Sequence, residues 1–276
     1  MDDTRGLTMI RSALFVPATR TDRIGKALAT GADAVIVDLE DAVATEVKSQ
    51  AREDLVVFLQ NNPDVNLWVR VNGAQTQWFE EDVHLCARFL QIKGVMLPKA
   101  EHPEQIAQIF HKTGKAVYPI IESAKGIGAI PDIARAQGVA RLSFGALDLG
   151  VDLGLENGSE GAAFLLNQMR AQLVVQSRVA GIDAPLDGVY PNFKDSEGLR
   201  QSMTFAKGMG FAGALCIHPS QVEVIHSVMS YSEEEIRWAK AVLEKYQETG
   251  LAAFSFEGKM VDMPVIERAK RLVSGR

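Results

Sequence analysis

Acidic residues follow three apolar runs in this sequence of 276 residues. Asp38, Glu40 and Asp41 lie at the end of the run DAVIVDL, Glu122 follows AVYPII, and Asp148 follows RLSFG. A Mg²⁺ ion is commonly bound by one or two carboxylates together with water and substrate oxygens. A single acid would more simply cap a helix or pair with a base, but this many acids together would repel one another without a cation. Glu122 and Asp148 therefore predict a Mg²⁺ site, with the other three acids on the same rim.

Basic residues accompany these acids. Arg70 lies inside the apolar run LWVRVN, where a charged group is costly unless it is paired. We expect it either to bind a substrate carboxylate or enolate oxygen, or to form a salt bridge with one of the neighbouring acids. Arg20 and Lys26 follow the run SALFVP, and both binding of a phosphorylated ligand and simple solvation remain open for them. His218 precedes a proline, and fixing a loop is a stronger expectation for it than catalysis.

The composition argues against several classes of protein. A net charge of −6 and a pI of about 5.5 argue against a nucleic-acid partner. No G-x-G-x-x-G or Walker-type loop is present, so no nucleotide is expected as a consumed cofactor. Cys86 and Cys216 are too few for a disulfide scaffold or a four-ligand zinc site, and they suit a reducing compartment. No signal peptide and no run of about 20 apolar residues is seen, so we expect a cytoplasmic protein without a membrane partner.

Eight short apolar runs must position these residues. They are nearly continuous in aliphatic residues, which is typical of strands covered on both faces, and amphipathic segments separate them. Eight strand–helix units predict a (β/α)8 TIM barrel, in which chemistry collects at the carboxyl ends of the strands. A doubly wound open sheet is the alternative, although it would not need eight evenly spaced units. The predicted strands span residues 12–17, 33–39, 67–72, 94–98, 116–121, 141–145, 185–190 and 214–217.

The chain is longer than such a barrel requires. We assign residues 1–230 to the barrel and residues 231–276 to a C-terminal extension. The extension is predicted to contain a helix over 233–248, an extended stretch over 251–263 and a final helix after Pro264. We expect it to serve as a helical lid, as an oligomerisation contact, or as both.

The order of motifs resembles the HpcH/HpaI aldolase superfamily, in particular its citrate lyase beta-subunit-like branch, which includes malyl-CoA and citramalyl-CoA lyases. The resemblance covers nearly the whole chain, and the combination of DLEDAV, VRVNG and a distal VDMP is specific although each alone is weak. The motifs that carry it are RSALFVPATR (11–20), GADAVIVDLEDAV (31–43), WVRVNG (68–73), GVMLPKAE (94–101), IIESAKG (120–126), SFGALDLGVDLG (143–154), IHPSQV (217–222) and GKMVDMPVIERAKRL (258–272).

The resemblance implies a Mg²⁺-dependent carbon–carbon lyase that acts on a β-hydroxyacyl-CoA thioester. In such enzymes the residues matching Glu122 and Asp148 bind the metal, and those matching Glu40 and Asp41 hold metal-bound waters. The arginine matching Arg70 stabilises charge on the substrate and the enolate. Cleavage gives an acyl-CoA and a 2-oxo acid.

The resemblance also implies contacts outside the metal site. The residues matching Phe15, Arg20 and Lys26 contact CoA. The aspartate matching Asp262 comes from the tail of a neighbouring subunit and acts as general acid and base, which implies a homotrimer or hexamer. Leu147 departs from the family, because many relatives carry a polar or acidic residue before the metal-binding aspartate, and this affects what the pocket accepts.

Three alternatives stay open. In the first alternative, the chain is the lyase subunit of a citrate lyase complex that acts on citryl carried by an acyl-carrier protein. In the second, it is a 2-oxo acid aldolase of the same superfamily. In the third, it is a non-catalytic barrel that binds an acyl-CoA. Retention of Glu122, Asp148, Arg70 and Asp262 argues against the non-catalytic alternative.

Overall fold

Eight parallel strands form a closed barrel in the computed structural model, which describes residues 10–274. The strands pair in chain order, and β8 closes the barrel against β1 through the partners Ser12 with Ala214 and Leu14 with Cys216. The predicted TIM barrel is therefore confirmed. The strands are β1 Ser12–Pro17, β2 Ala34–Asp38, β3 Leu67–Arg70, β4 Ile92–Leu97, β5 Ala116–Ile121, β6 Arg141–Phe144, β7 Asp183–Asp187 and β8 Gly213–Cys216.

Helices connect successive strands. A 3-10 turn over Ala18–Arg23 precedes the first α-helix. A short helix directly after β6, which the sequence analysis does not predict, carries Asp148. The helices are α1 Ile24–Leu28, α2 Lys48–Asn61, α3 Phe79–Arg88, α4 Pro103–Thr113, α5 Ala124–Arg135, α6 Ala146–Asp152, α7 Glu160–Ala180, α8 Ser196–Met209, α9 Ser220–Met229, α10 Glu233–Thr249 and α11 Met263–Ser274. Within residues 10–274, no helix combines the length and apolar character needed to cross a bilayer.

Alternate residues of the strands fill the barrel. Ile36, Trp68 and Ile120 belong to one buried cluster in the interior. Successive side chains of a strand point to opposite faces, so residues two positions further along point the same way. The residues two positions beyond these three are Asp38, Arg70 and Glu122, and the polar site therefore continues the interior column towards the carboxyl ends of the strands.

The chain divides into two compact units, whose described parts are residues 10–227 and 228–274. The second unit contains α10, an antiparallel hairpin of β9 Phe254–Phe256 and β10 Lys259–Val261, and α11. A small apolar core of its own, including Val242, Phe254 and Ile266, holds it together. The division at residue 230 and the lid role stay predictions. Residues 1–9, where no signal peptide is expected, lie outside the described part.

Candidate active site

A buried ion pair joins the ends of β2 and β3. Asp38 and Arg70 are register partners, and Arg70 donates from Nε to Asp38 Oδ1 at 2.7 Å and from Nη2 to Oδ2 at 2.6 Å. The backbone N–H groups of Glu40 and Ala42 donate to the same carboxylate at 2.9 and 3.1 Å. Burial opposes the charge of Arg70, but Asp38 outweighs this effect and raises the pKa of the guanidinium above its usual value. The arginine is thus a fixed, permanent positive charge.

Glu40 lies beside Nη1 of Arg70, the guanidinium nitrogen that does not bond Asp38. Its Oε2 is 2.9 Å from Arg70 Nη1 yet makes no hydrogen bond, and its Oε1 is 3.9 Å from Lys99 Nζ. Burial raises the pKa of Glu40 to about 7, although the charge of Arg70 opposes the shift. Asp41 is exposed, with Oδ2 3.8 Å from Arg70 Nη1. Both predicted water-holding acids therefore border the arginine.

Glu122 follows β5 and is buried. The backbone N–H of Lys99 donates to its Oε1 at 2.7 Å. Lys99 adopts a left-handed backbone conformation with φ of 47°, which is costly for a side-chain-bearing residue and aims this N–H at the carboxylate. Burial raises the pKa of Glu122 to about 8; the hydrogen bond from Lys99 opposes the shift, and the charges of Asp148 and Glu40 add to it.

Asp148 lies in the first turn of α6 and is exposed. Gly145 is the N-cap residue directly before this helix, and a Cβ built there would lie 2.5 Å from Glu122 Oε2. Glycine at this position leaves the space that the glutamate occupies. At the other end of α6, Asp152 Oδ2 accepts from the N–H of Ala124 at 2.7 Å. Helix α6 is thereby tied to the start of α5, two residues beyond Glu122.

These acids fit a divalent cation. A carboxyl group with a pKa near 8 is mostly protonated at neutral pH unless a positive charge stabilises its ionised form. The buried Glu40 Oε2 likewise has no hydrogen-bond donor. No group of three or more carboxylate, histidine or cysteine side chains converges as a complete metal cage in the part of the chain that the structure describes. Mg²⁺ suits this arrangement, because it is commonly held by one or two carboxylates and keeps several waters.

The three residues predicted to contact CoA lie in different surroundings. The ring of Phe15 lies beneath Arg70, with 4.8 Å between the guanidinium carbon and the ring centroid. Arg20 is exposed and makes two hydrogen bonds of 2.8 Å to Asp22. Lys26 is exposed on α1 and forms no ion pair with any acid of residues 10–274. Phe15 therefore belongs to the site at the carboxyl ends of the strands. Arg20 and Lys26 follow β1 in the chain and are exposed on the protein surface.

Asp262 belongs to the second unit, not to the barrel unit that carries the other predicted residues. It is exposed just before α11, and its Oδ1 accepts from the N–H of Val265 at 3.4 Å. His218 fixes a loop, as expected: its ring stacks on Phe193 with centroids 4.6 Å apart, and its Nδ1 is 2.8 Å from the hydroxyl of Ser220.

Two contributors to the site were missed by the sequence analysis. Lys99 was visible as a polar residue at a strand end in GVMLPKAE, but its left-handed backbone was not predictable from that position. Gly145 was visible only as one of 23 glycines, and nothing in its neighbourhood marked it as the residue that makes space for Glu122.

The fold and the site define a class: a (β/α)8 barrel with buried acids and a fixed arginine at the carboxyl ends of its strands. The family model HpcH/HpaI aldolase/citrate lyase matches residues 11–219, and the chain belongs to this family. The chain is accordingly a carbon–carbon lyase.

Relatives match along nearly the whole chain. A citrate lyase subunit beta-like protein of Deinococcus radiodurans is 32% identical, with 96% of this chain and 97% of that protein covered. Human mitochondrial citramalyl-CoA lyase is 31% identical, with 96% and 84% covered. Among solved structures, CitE of Mycobacterium tuberculosis in complex with magnesium, acetoacetate and coenzyme A is 32% identical, with a TM-score of 0.82 over 96% of this chain and 97% of that chain. Magnesium is the cofactor that these similarities and the acid set support.

Proposed function

We propose that this protein is a Mg²⁺-dependent lyase that cleaves a β-hydroxyacyl-CoA of the malyl-CoA or citramalyl-CoA type. The products are an acyl-CoA and a 2-oxo acid. The observation that carries the proposal is the buried carboxylate of Glu122, which lies within electrostatic reach of Asp148, Glu40 and Arg70 at the mouth of the barrel. The human relative is named a citramalyl-CoA lyase, and the solved relative binds magnesium together with coenzyme A.

Each residue at the mouth has a role in this proposal. Glu122 and Asp148 would hold Mg²⁺, and Glu40 and Asp41 would accept hydrogen bonds from its waters. When bound, Mg²⁺ supplies positive charge to the oxygens of the 2-oxo acid fragment. Arg70, whose orientation is set by its bonds to the acid behind it, offsets the negative charge that develops on the thioester oxygen as the enolate forms.

Proton transfer requires a further group. Breaking the bond between the α and β carbons releases the β-hydroxyl proton and leaves an enolate, whose α carbon must then receive a proton. We assign both transfers to Asp262, which in this proposal is supplied by a neighbouring subunit of a homotrimer or hexamer. Its exposure at the start of α11 is what such a role requires.

The proposed CoA site consists of residues in β1 and in the segment after it. We propose that Arg20 and Lys26 contact the phosphates of CoA and that Phe15 lines the path of its thioester arm. Because Arg20 is already bonded to Asp22, a phosphate must compete with that carboxylate. We keep the cytoplasm as the proposed location because Cys86 and Cys216 are both free thiols.

A citryl carrier-protein substrate is the second candidate, favoured by the name of the Deinococcus relative. Malyl-CoA, citramalyl-CoA, β-methylmalyl-CoA and citryl-carrier protein should be offered separately, with Mg²⁺ and with EDTA. We expect cleavage of at least one CoA thioester that EDTA abolishes. Cleavage of the carrier-protein substrate alone would establish the second candidate, and the absence of any cleavage would contradict both candidates.

The origin of Asp262 can be tested by mixing two inactive variants. Asp262→Asn and Glu122→Gln should each abolish most of the cleavage, whereas Glu244→Gln, an exposed acid on α10, should not. If one subunit supplies Asp262 to the metal site of another, subunit exchange between the two variants creates sites with both native residues. Activity should then return on mixing, and no recovery after demonstrated exchange would contradict the assignment.

A further inference from the structure

A buried lysine lies next to residues 38–41, the segment that carries Asp38, Glu40 and Asp41. Lys48 is the first residue of α2 and only 7% of its surface is exposed. Its ammonium group donates to two main-chain carbonyls, Leu39 O at 3.0 Å and Glu40 O at 2.7 Å. It also lies 5.3 Å from the centroid of the Trp78 ring. Lys48 thus binds the main chain of the segment that carries Glu40, not the carboxylate itself.

A second side chain, from the loop after β3, binds the same segment. Asn72 donates from Nδ2 to Leu39 O at 3.0 Å. Asp82, fully buried, fixes the asparagine by accepting from its Nδ2 at 2.7 Å and from its backbone N–H at 2.9 Å. The carbonyl of Leu39 therefore receives two donors from different elements, and the conformation of the segment is determined from two directions.

Charge gives Lys48 a role that a neutral donor could not fill. Burial lowers the pKa of Lys48, and the carboxylates of Glu40 and Asp38 oppose this shift. The end of β2 and the loop after it place three acids within residues 38–41, and these like charges repel one another. A cation beneath the main chain of the loop offsets that repulsion without occupying the carboxylate oxygens, which stay directed at Arg70.

We propose that Lys48 is a positioning residue that, by fixing the carbonyls of Leu39 and Glu40, holds the Glu40 carboxylate beside Arg70 and Glu122. The consequence for metal binding rests on the proposed function, whereas the positioning itself does not. Lys48 touches neither substrate nor metal in this account and acts through the main chain alone.

A lysine at the other end of the barrel provides a matched control. Lys115, directly before β5, donates to Phe89 O and Ile92 O, each at 2.7 Å, and burial lowers its pKa as well. It lies at the amino ends of the strands, away from the carboxyl ends at which the chemistry of such barrels is located. Loss of either lysine removes two charge-assisted hydrogen bonds to main-chain carbonyls. Of these two lysines, Lys48 alone donates to the main chain of the segment that carries Glu40.

Amide hydrogen exchange tests the positioning directly. Exchange should be measured in wild type, Lys48→Met, Lys48→Arg and Lys115→Met. We expect the amides of Glu40 and Ala42, which bond Asp38, to exchange at least about 10-fold faster in Lys48→Met. Lys115→Met should leave them unchanged. Lys48→Arg keeps a cation with several donors, so it should stay folded and show a smaller increase.

Manganese binding, followed by electron paramagnetic resonance without substrate, tests the consequence for the site. We expect Lys48→Met to raise the half-saturating Mn²⁺ concentration at least about 5-fold and Lys115→Met to leave it within about 2-fold of wild type. Unchanged exchange of the loop in Lys48→Met, or an equal effect of Lys115→Met, would overturn the proposal. If wild type cleaves no thioester, the proposed function fails while the exchange result still decides the role of Lys48.

Discussion

Replacing Gly145 by alanine tests the packing that places Glu122 and Asp148, the two acids proposed to bind the metal. The new Cβ would lie 2.5 Å from Glu122 Oε2 and closer still to Glu122 Cβ. Carbon atoms in ordinary contact are about 3.5–4.0 Å apart, so the glutamate must move by about 1 Å. Rotating the side chain does not relieve the contact with its Cβ, and therefore the end of β5 or β6 must shift. The φ of residue 145 is −103°, which alanine adopts without strain, so the effect is steric.

The magnitude follows from this displacement. Overpacking of this kind typically costs about 1–3 kcal/mol of folding stability, which a barrel of this size tolerates. A misplacement of about 1 Å in a catalytic group can lower the rate by about 100-fold. We therefore expect Gly145→Ala to remain folded, to lose about two orders of magnitude in kcat, and to need more Mg²⁺ for half-maximal cleavage.

Gly150 supplies the matched control for this variant. It lies on the same helix, and a Cβ built there meets no atom within 4 Å. Gly150→Ala should leave kcat unchanged and raise stability by about 0.5–1 kcal/mol, because alanine loses less conformational entropy in a helix. The assay is cleavage of the best thioester at a series of Mg²⁺ concentrations, with thermal unfolding measured in parallel. If Gly145→Ala keeps kcat and its Mg²⁺ requirement within about twofold of wild type, the packing argument is refuted.

Two further predictions concern charges outside the proposed metal site. Asp22→Asn removes the carboxylate that binds Arg20 and should leave this side chain available to a phosphate of CoA. The KM for a CoA thioester should then fall by about 1.5- to 5-fold, which corresponds to the free energy of an exposed ion pair. An unchanged KM would show that Arg20 does not contact CoA. Burial alone would raise the pKa of Asp33, but the hydrogen bonds from Arg11 outweigh burial and lower this pKa. The ionised Asp33 carboxylate therefore stabilises the fold at neutral pH. This stabilisation is lost as the pH falls through the lowered pKa. Urea unfolding from pH 7 to 3 should show a stability difference between wild type and Asp33→Asn that shrinks below about pH 4, and a difference that stays constant over this range would contradict it.

The barrel could be predicted because its pattern repeats. Eight apolar runs separated by amphipathic stretches specify strand–helix units, and two predicted strands, Ser12–Pro17 and Ala116–Ile121, have the observed bounds. The sequence predicts that the seventh strand starts at Pro185, whereas the strand begins two residues earlier, at Asp183. Helix α6 was missed because its seven residues follow a strand directly and are too few to show a helical period.

The site was predictable where a residue type alone carries the argument. A charged arginine in an apolar strand needs a partner, and Arg70 has one in Asp38. The sequence does not identify that partner, since three acids within residues 38–41 are equally available. The left-handed backbone of Lys99 and the space left by Gly145 depend on how separate strands meet. Such features are properties of packing between distant segments, and local sequence holds little record of them.

The Mg²⁺ dependence of thioester cleavage tests the central claim most directly. Wild type, Glu122→Gln and Asp148→Asn should be compared with Glu104→Gln and Asp132→Asn, which replace exposed acids on α4 and α5. We expect each substitution at the site to raise the half-maximal Mg²⁺ concentration at least about 10-fold, the usual effect of weakening a metal site, and each control to leave it unchanged. Cleavage with the same Mg²⁺ dependence in all five proteins would contradict the account.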